Sequence, residues 1–262
     1  MSTKRVFVSD VHMSPGWSLA TEERYDWLNE KEAMRFEDFL DDLIKDDSIQ
    51  EVIFLGDMME GWVYPVDTSP PGYQDIAAAG HVANIMSKLR QLARSKKNLP
   101  AGGVSYVYGN HDMTLQQNTF NRFKDEFLGD VRFAFFYDTD DGVYARHGHE
   151  YSMYNAFLSQ YDLPLGFYLS RLAATSAARG RASFTSSEIE RMFSSHMQLD
   201  EKRRFLDFDE AARALYINKP LSFMADCADV DDQTPIMETD GSRTTLPQVR
   251  QKYANLHADW KS

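Results

Sequence analysis

Apolar and polar positions alternate along the first half of the chain in short blocks. Residues 5–9 (RVFVS), 51–55 (EVIFL) and 104–108 (VSYVY) are β-branched and aromatic runs of the length that fills a buried strand. Between the first two, residues 30–46 carry Ala33, Met34, Phe36, Phe39, Leu40, Leu43 and Ile44 at close to helical spacing. Between the second and third, residues 75–97 are Ala-rich early and basic late, which suits the dipole of a helix. Strand, helix, strand, helix, strand in that order predicts an α/β fold with a mainly parallel sheet and helices on its faces.

The period then shortens. Residues 131–137 and 142–146 read as neighbouring strands joined by the turn DTDDG at 138–142. From Tyr151 to Ile217 the pattern is helical and strand-poor, with AFLSQY, GFYLSRLAATSAARGRA and DEAARALYI, and reads as a helical cap or insertion. Residues 218–245 turn polar and acidic and read as a loop, in part disordered. Residues 246–260 predict one last amphipathic helix. The expected division is a core over 1–150, a cap over 151–217, and an acidic loop with a terminal helix over 218–262. No internal repeat interrupts it.

Composition changes this picture in three ways. Lys and Arg number 28 against 40 Asp and Glu, a formal net charge of -12, which argues against tight sequence-independent binding of nucleic acid and so against a nuclease. An acidic protein that acts on a phosphorylated substrate needs positive charge beside the phosphate, and a divalent metal supplies it. Cys227 is the single cysteine, so no intrachain disulfide forms and a reducing compartment fits. The opening MSTKRVFVSDVH holds no apolar run long enough for a signal peptide, and no stretch approaches about eighteen apolar residues, so the expected location is cytoplasmic.

The candidate chemistry lies just past the predicted strands. The first ends in Ser9-Asp10-Val11-His12 and the second in Gly56-Asp57-Met58-Met59-Glu60. The third ends in Gly109-Asn110-His111-Asp112, and a fourth in Arg146-His147-Gly148-His149-Glu150. In a parallel sheet these ends share one edge, where open α/β folds bind ligands. Carboxylates, imidazoles and an amide oxygen suit Mn²⁺, Fe or Zn²⁺. Two such ions roughly 3.5–4 Å apart can clamp a phosphate while a shared hydroxide attacks in line. Asp57, on the middle strand, is the natural bridge between them. Asp10 and His12 flank Val11, so on an extended segment they point the same way. Each motif alone is weak, because Gly, Asn and Asp form turns anyway. The series in this order is what carries the chemistry.

That series resembles the calcineurin-like metallophosphoesterases, whose pattern runs DxH, GDxx(D/E), GNH(D/E), a later His, and a terminal GHxH. The resemblance covers residues 5–155 clearly and the helical region loosely, and it implies a β-sandwich core flanked by helices. The His147–Gly148 pair followed by helices looks like the UDP-2,3-diacylglucosamine pyrophosphohydrolase branch. By this resemblance Asp10 and His12 bind one metal, Asp57 bridges, and Asn110 and His147 bind the second. His111 donates to the phosphoryl oxygen or the leaving group, Asp112 fixes its tautomer, and Glu60 supports the ligands from behind. The implied activity is hydrolysis of a phosphoester or pyrophosphate bond by a hydroxide bound to two divalent ions, Mn²⁺ first. The implied substrate is a phosphorylated small molecule, of which a nucleotide-sugar lipid is one case.

The chain departs from the pattern at its end. Its seven histidines stand at 12, 81, 111, 147, 149, 196 and 257, and none forms GHxH. Gly148-His149-Glu150-Tyr151 places Tyr where the second His belongs. Three accounts follow. The missing strands and motif lie beyond Ser262 and the chain is a fragment, which is the simplest. His149, His196 or His257 substitutes. Or the site has degenerated and the protein is a non-catalytic binding module.

Other residues carry two readings each. Trp62 and Tyr64, with Pro65, Pro70 and Pro71, form either a wall of the substrate pocket or a proline-stiffened connection. Arg171, Arg179, Arg181, Arg203 and Arg204 either bind substrate phosphates or make a solvated face. The apolar stretch GFYLSRLAA either receives an acyl chain, meets a membrane surface or fills a core. His149 either contacts metal or substrate, or caps a turn, and His81 reads as a surface residue.

Overall fold

A computed structural model describes residues 4–15, 28–96, 103–112, 121–158, 161–180 and 217–261. The chain divides into two compact units, each described by itself. One holds Asp26–Gly61 and Pro71–His149 with the N-terminal strand, and the other holds Trp62–Pro70 and Glu150–Ser262.

The first unit is built on four parallel strands in the order β1 (Lys4–Val8), β2 (Ile49–Leu55), β3 (Gly103–Val107) and β4 (Val131–Ala134). The crossovers are helical: α1 (Glu30–Lys45) joins β1 to β2, and α2 (Tyr73–Ala78) with α3 (Gly80–Lys96) joins β2 to β3. Asn29 caps α1 by accepting from the Glu32 N–H at 3.1 Å, and Lys45 closes its last turn, as the helix dipole favours. The central strands are covered on both faces, which is why they read as continuous apolar runs. Val52, Phe54, Val104 and Tyr106 meet Leu40, Leu43, Ile85, Leu89 and Leu92 of the helices in one cluster. The alternate residues Ile53 and Val107 turn the other way and bury with Tyr137.

Tyr137 belongs to a hairpin that corrects one expectation. The run 131–137 is not one strand. It stays in the parallel sheet to Ala134, bends at Phe135–Phe136, and restarts as β5 (Tyr137–Asp138), which pairs antiparallel with β6 (Tyr144–Ala145). The buried Tyr137 hydroxyl bonds Glu51 beneath the sheet, and Val143 and Ala145 pack with it. Among the described residues this hairpin is the second layer of the expected sandwich. The helix expected over 75–97 is also broken, because Ala79 adopts an extended ψ of 140° and separates α2 from α3.

The second unit is helical. Its central helix, α4 (Leu165–Ala178), contains the GFYLSRLAA stretch and is buried from Leu165 through Leu169 and from Arg171 through Ala177. It packs on α5 (Lys219–Ala228), with Ser176 Oγ donating to the Cys227 carbonyl at 3.0 Å. The loop 62–70 is tied to α4: Thr175 Oγ1 accepts from Val66 N–H at 2.9 Å, and the Arg171 guanidinium donates to the carbonyls of Val66 and Thr68. Gly166 packs closely: a Cβ there would meet Asn155 Oδ1 at 2.5 Å, the Tyr154 carbonyl at 3.0 Å and the Trp62 ring at 3.1 Å, so these neighbours would have to shift. The segment 218–245, expected as loop, instead holds α5 and a hairpin of β7 (Ile236–Met237) and β8 (Arg243–Thr244). Leu221, Met224, Ala225 and Ala228 form a buried helical stripe that the flanking acidic residues hide from a compositional reading. The terminal helix is two, α6 (Leu246–Lys252) and α7 (Leu256–Lys261), separated at the buried Tyr253. No helix among the described residues is long and apolar enough to cross a membrane.

Candidate metal centre

The loops that leave β1, β2 and β3 touch one another through their backbones. Residues 10–13 run beside 56–60, with His12 N–H donating to Asp57 O at 2.9 Å and Met13 N–H to Met58 O at 2.8 Å. Gly56 has φ +86°, and a Cβ there would meet Gly109 Cα at 2.7 Å and the His147 ring at 2.8 Å. A Cβ on Gly109 would lie 2.2 Å from Asp57 N. The two glycines therefore let the ends of β2 and β3 approach closely enough for Asp57 and Asn110 to share a site.

Asp10, His12 and Asp57 all lie in the left-handed region, with φ of 59°, 51° and 52°. Each such residue costs about 1–3 kcal/mol and persists only where its surroundings fix it. This corrects the extended reading of Asp10-Val11-His12. The two side chains converge because the backbone turns left-handed at both, with Asp10 Oδ1 3.7 Å from His12 Nε2.

Around Asp57 the ligand atoms gather. Its Oδ2 lies 3.0 Å from His147 Nε2 and 3.9 Å from His12 Nε2, while its Oδ1 accepts from His111 N–H at 2.8 Å. Asn110 Oδ1 is 3.0 Å from His147 Nε2. His147 Nδ1 lies 2.7 Å from the Leu55 carbonyl, which can only accept, so the proton sits on Nδ1 and the Nε2 lone pair is left for a ligand. Asp10, Asp57 and His147 present donor atoms within 4.8 Å of one another.

A second group sits behind the first. The buried Glu60 carboxylate lies 2.9 Å from His12 Nδ1 and 2.9 Å from His111 Nδ1, and the two rings meet edge to face at 4.6 Å. Asp112, expected to fix the His111 tautomer, does something else. It accepts from the N–H groups of Asp57, Met59 and Gly109 at 2.8, 2.9 and 3.0 Å, and from the Tyr106 hydroxyl at 2.8 Å. It staples the loop after β2 to the loop after β3, and Glu60 is the partner of the His111 ring.

Charge in this cluster is strongly coupled. The hydrogen bond from His12 holds Asp10 at about 2, against partial burial. Burial works to lower His12, but hydrogen bonds to Asp10 and Glu60 win and push it up to about 10. Burial likewise works against His147, and the bond to Asp57 carries it up to about 9. Glu60 and Asp57 are held below the ordinary carboxylate range because the imidazoles outweigh their burial. Asp112 is raised to about 6 by burial first and by the Asp57 charge second. Raised imidazoles among depressed carboxylates are what a cation site looks like when protons stand in for the cation. The donor set therefore fits divalent metal.

The remaining sequence candidates are placed elsewhere. His149 lies beside the rings of His147 and Tyr108, at 5.5 and 6.0 Å, and joins neither group of metal-capable side chains. Trp62, Tyr64 and Arg171 are interior residues of the second unit, exposed by 1%, 0% and 0%. Trp62 packs edge to face on Phe167, and Arg171 spends its donors on the 62–70 loop. Arg179 donates to the carbonyls of Ala228 and Asp229. Arg181, His196, Arg203, Arg204 and the His257 side chain lie outside the described residues. Sequence reading missed Tyr106, and it placed Glu60 behind the ligands without showing that His12 and His111 both lie on its carboxylate.

A family model described as calcineurin-like phosphoesterase matches residues 3–209. No curated protein and no solved structure matches the chain. The match spans most of the sequence and includes every strand end that carries Asp10, His12, Asp57, Asn110, His111 and His147, so the chain belongs to the calcineurin-like phosphoesterase family.

Proposed function

We propose that this protein hydrolyses a phosphoester or pyrophosphate bond with the help of two divalent ions, Mn²⁺ first. The observation that supports this best is the position of Asp57 Oδ2, between His147 Nε2 at 3.0 Å and His12 Nε2 at 3.9 Å. Asp10 and His12 would hold one ion, Asn110 and His147 the other, with Asp57 shared. When bound, such a pair neutralises phosphoryl charge and lowers the pKa of a water to the working range.

The chain's own residues do the rest. Asp57 Oδ1 is tethered by the His111 N–H, which keeps Oδ2 turned to the two histidines. His111 has its Nδ1 on Glu60, so a proton that it gives to a phosphoryl oxygen or a leaving group departs from Nε2. The substrate we propose is a phosphorylated small molecule with a pyrophosphate link, as in a nucleotide-sugar lipid, because the His147–Gly148 pair resembles that branch.

The test is Mn²⁺-dependent hydrolysis of bis(p-nitrophenyl) phosphate and of a UDP-sugar by the chain, beside Asp57→Asn. Turnover that the variant lacks supports the reading. Equal rates in both proteins would sink it and leave a binding module.

A further inference from the structure

We propose that Phe135, held by Tyr108 and Phe133, is a stacking platform for the base of a nucleotide whose phosphate lies at the metal centre. The proposal rests on the phosphoesterase reading above and adds recognition of a part of the substrate that metal ligands do not read.

The rings form a path that starts at a candidate ligand. His147 Nε2 lies 3.0 Å from Asp57 Oδ2. The His147 ring is 5.5 Å from the His149 ring, His149 is 6.0 Å from Tyr108, and Tyr108 is 5.9 Å from Phe135. Charge marks the same path, since burial first, and then the Asp112 and Asp57 carboxylates, push the Tyr108 hydroxyl up. The last ring is the open one. Tyr108 is buried, while Phe135 is 59% exposed. Phe135 stands where the chain leaves β4 and bends towards β5. Its ring is not loose there. Tyr108 meets it at 63°, and Phe133 meets it at 65° from 5.9 Å. A ring fixed by two others and still open to water offers stacking area at little cost in ordering.

The next residue is a contrast. Phe136 lies 5.6 Å from Tyr144, and the Arg146 guanidinium sits over both rings at 5.5 and 5.4 Å. That pair of rings takes its stacking partner from the protein itself. Phe135 has rings at its edges and water over the rest. Its occupant must carry phosphate to reach the metal ligands and a flat apolar face to match the ring, and a nucleotide has both in one molecule. Every base has such a face, so the platform accepts purines and pyrimidines alike. A nucleic-acid strand also offers bases, but a net charge of -12 opposes a polyanion.

The experiment compares UMP with ribose 5-phosphate, which lacks only the base, by calorimetry on the Mn²⁺-loaded full chain. Wild type is expected to bind UMP about 5–150-fold more tightly than ribose 5-phosphate. Phe135→Ala is expected to lose that preference, to bind ribose 5-phosphate as wild type does, and to keep Tm. Phe135→Trp should keep the preference, and so should Phe136→Ala. Equal affinity of wild type for the two compounds would overturn the proposal without any variant. So would a preference that survives in Phe135→Ala. An equal loss in Phe136→Ala and Phe135→Ala would overturn it in favour of an apolar surface with no single platform. A preference that depends on Phe135, in a protein that hydrolyses neither bis(p-nitrophenyl) phosphate nor a UDP-sugar, would sink the phosphoesterase reading and leave the platform standing.

Discussion

Among the described residues, four side chains without glycine's freedom sit in left-handed backbone, and three of them are candidate ligands: Asp10, His12 and Asp57. Strain of this kind survives where it positions chemistry. The fourth, Asp229, only ends α5, with φ 55° and its N–H on the Ala225 and Asp226 carbonyls. The two cases separate by mutation. Asp229→Gly should raise stability by roughly 1 kcal/mol, seen as about 2–4 °C in Tm, with metal affinity unchanged. Gly109→Ala should do the reverse. Its Cβ would lie 2.2 Å from Asp57 N, so the backbone must shift and carry Asp57 with it. A loss of more than about 2 kcal/mol in thermal unfolding, with Mn²⁺ binding abolished in calorimetry, is the expected result. Normal Mn²⁺ binding in that variant would show that the close approach of the two loops is not what builds the site.

At the scale of elements, Asp112 holds two loops together, and its hydrogen bonds go to backbone N–H groups and the Tyr106 hydroxyl, not to the donor atoms of the candidate metal ligands. Its four donors come from the ends of β2 and β3. Asp112→Asn keeps the shape but turns half of the acceptor towards N–H groups that need one. It should destabilise the chain by about 2–3 kcal/mol, read in urea unfolding, because buried donors are left unpaired. Tyr106→Phe removes one of the four and should cost about 1 kcal/mol. The ratio of the two losses tests whether the carboxylate acts as a staple. Arg171 plays a comparable part in the second unit, where a buried guanidinium ties the 62–70 loop to α4. Its lowered pKa, about 9, reflects burial. Arg171→Met should lower Tm and leave Mn²⁺ affinity at the wild-type value.

Across the whole molecule the excess of acid matters most at the sheet edge. With chelator present, His12 at about 10 and His147 at about 9 are both raised above the ordinary imidazole value of about 6.5. A group raised on folding contributes stability that is complete below its unfolded pKa and is lost as pH rises through its folded pKa. The metal-free chain should therefore lose Tm steadily from about pH 6.5 towards pH 10. Metal binding must displace those same protons, so Mn²⁺ affinity should rise between pH 7 and 9, with proton release visible in buffers of different ionisation enthalpy. A metal-free Tm that climbs over this range would contradict the charge pattern described here.

The sequence by itself determined the parallel sheet, its helical crossovers and the strand ends at which the chemistry stands. Those features are local: an apolar run of strand length is buried on both faces, and a Gly-Asp or Gly-Asn pair after it turns the chain at the edge. It also singled out Asp10, His12, Asp57, Asn110, His111 and His147, because the side chains that bind cations are few, and the structure brings these side chains close together. It did not yield the break of residues 131–137 at Phe135, since Tyr137 reaches Glu51 only once the sheet exists. Nor did it yield α5, whose four-residue stripe was hidden by acidic neighbours that face outward. The partner of the His111 ring was decided only in three dimensions. Asp112 is adjacent in sequence, but its carboxylate is claimed by backbone N–H groups from two loops, while Glu60 arrives from the neighbouring strand at 2.9 Å. Adjacency along a chain fixes which groups are available, and packing fixes which of them meet.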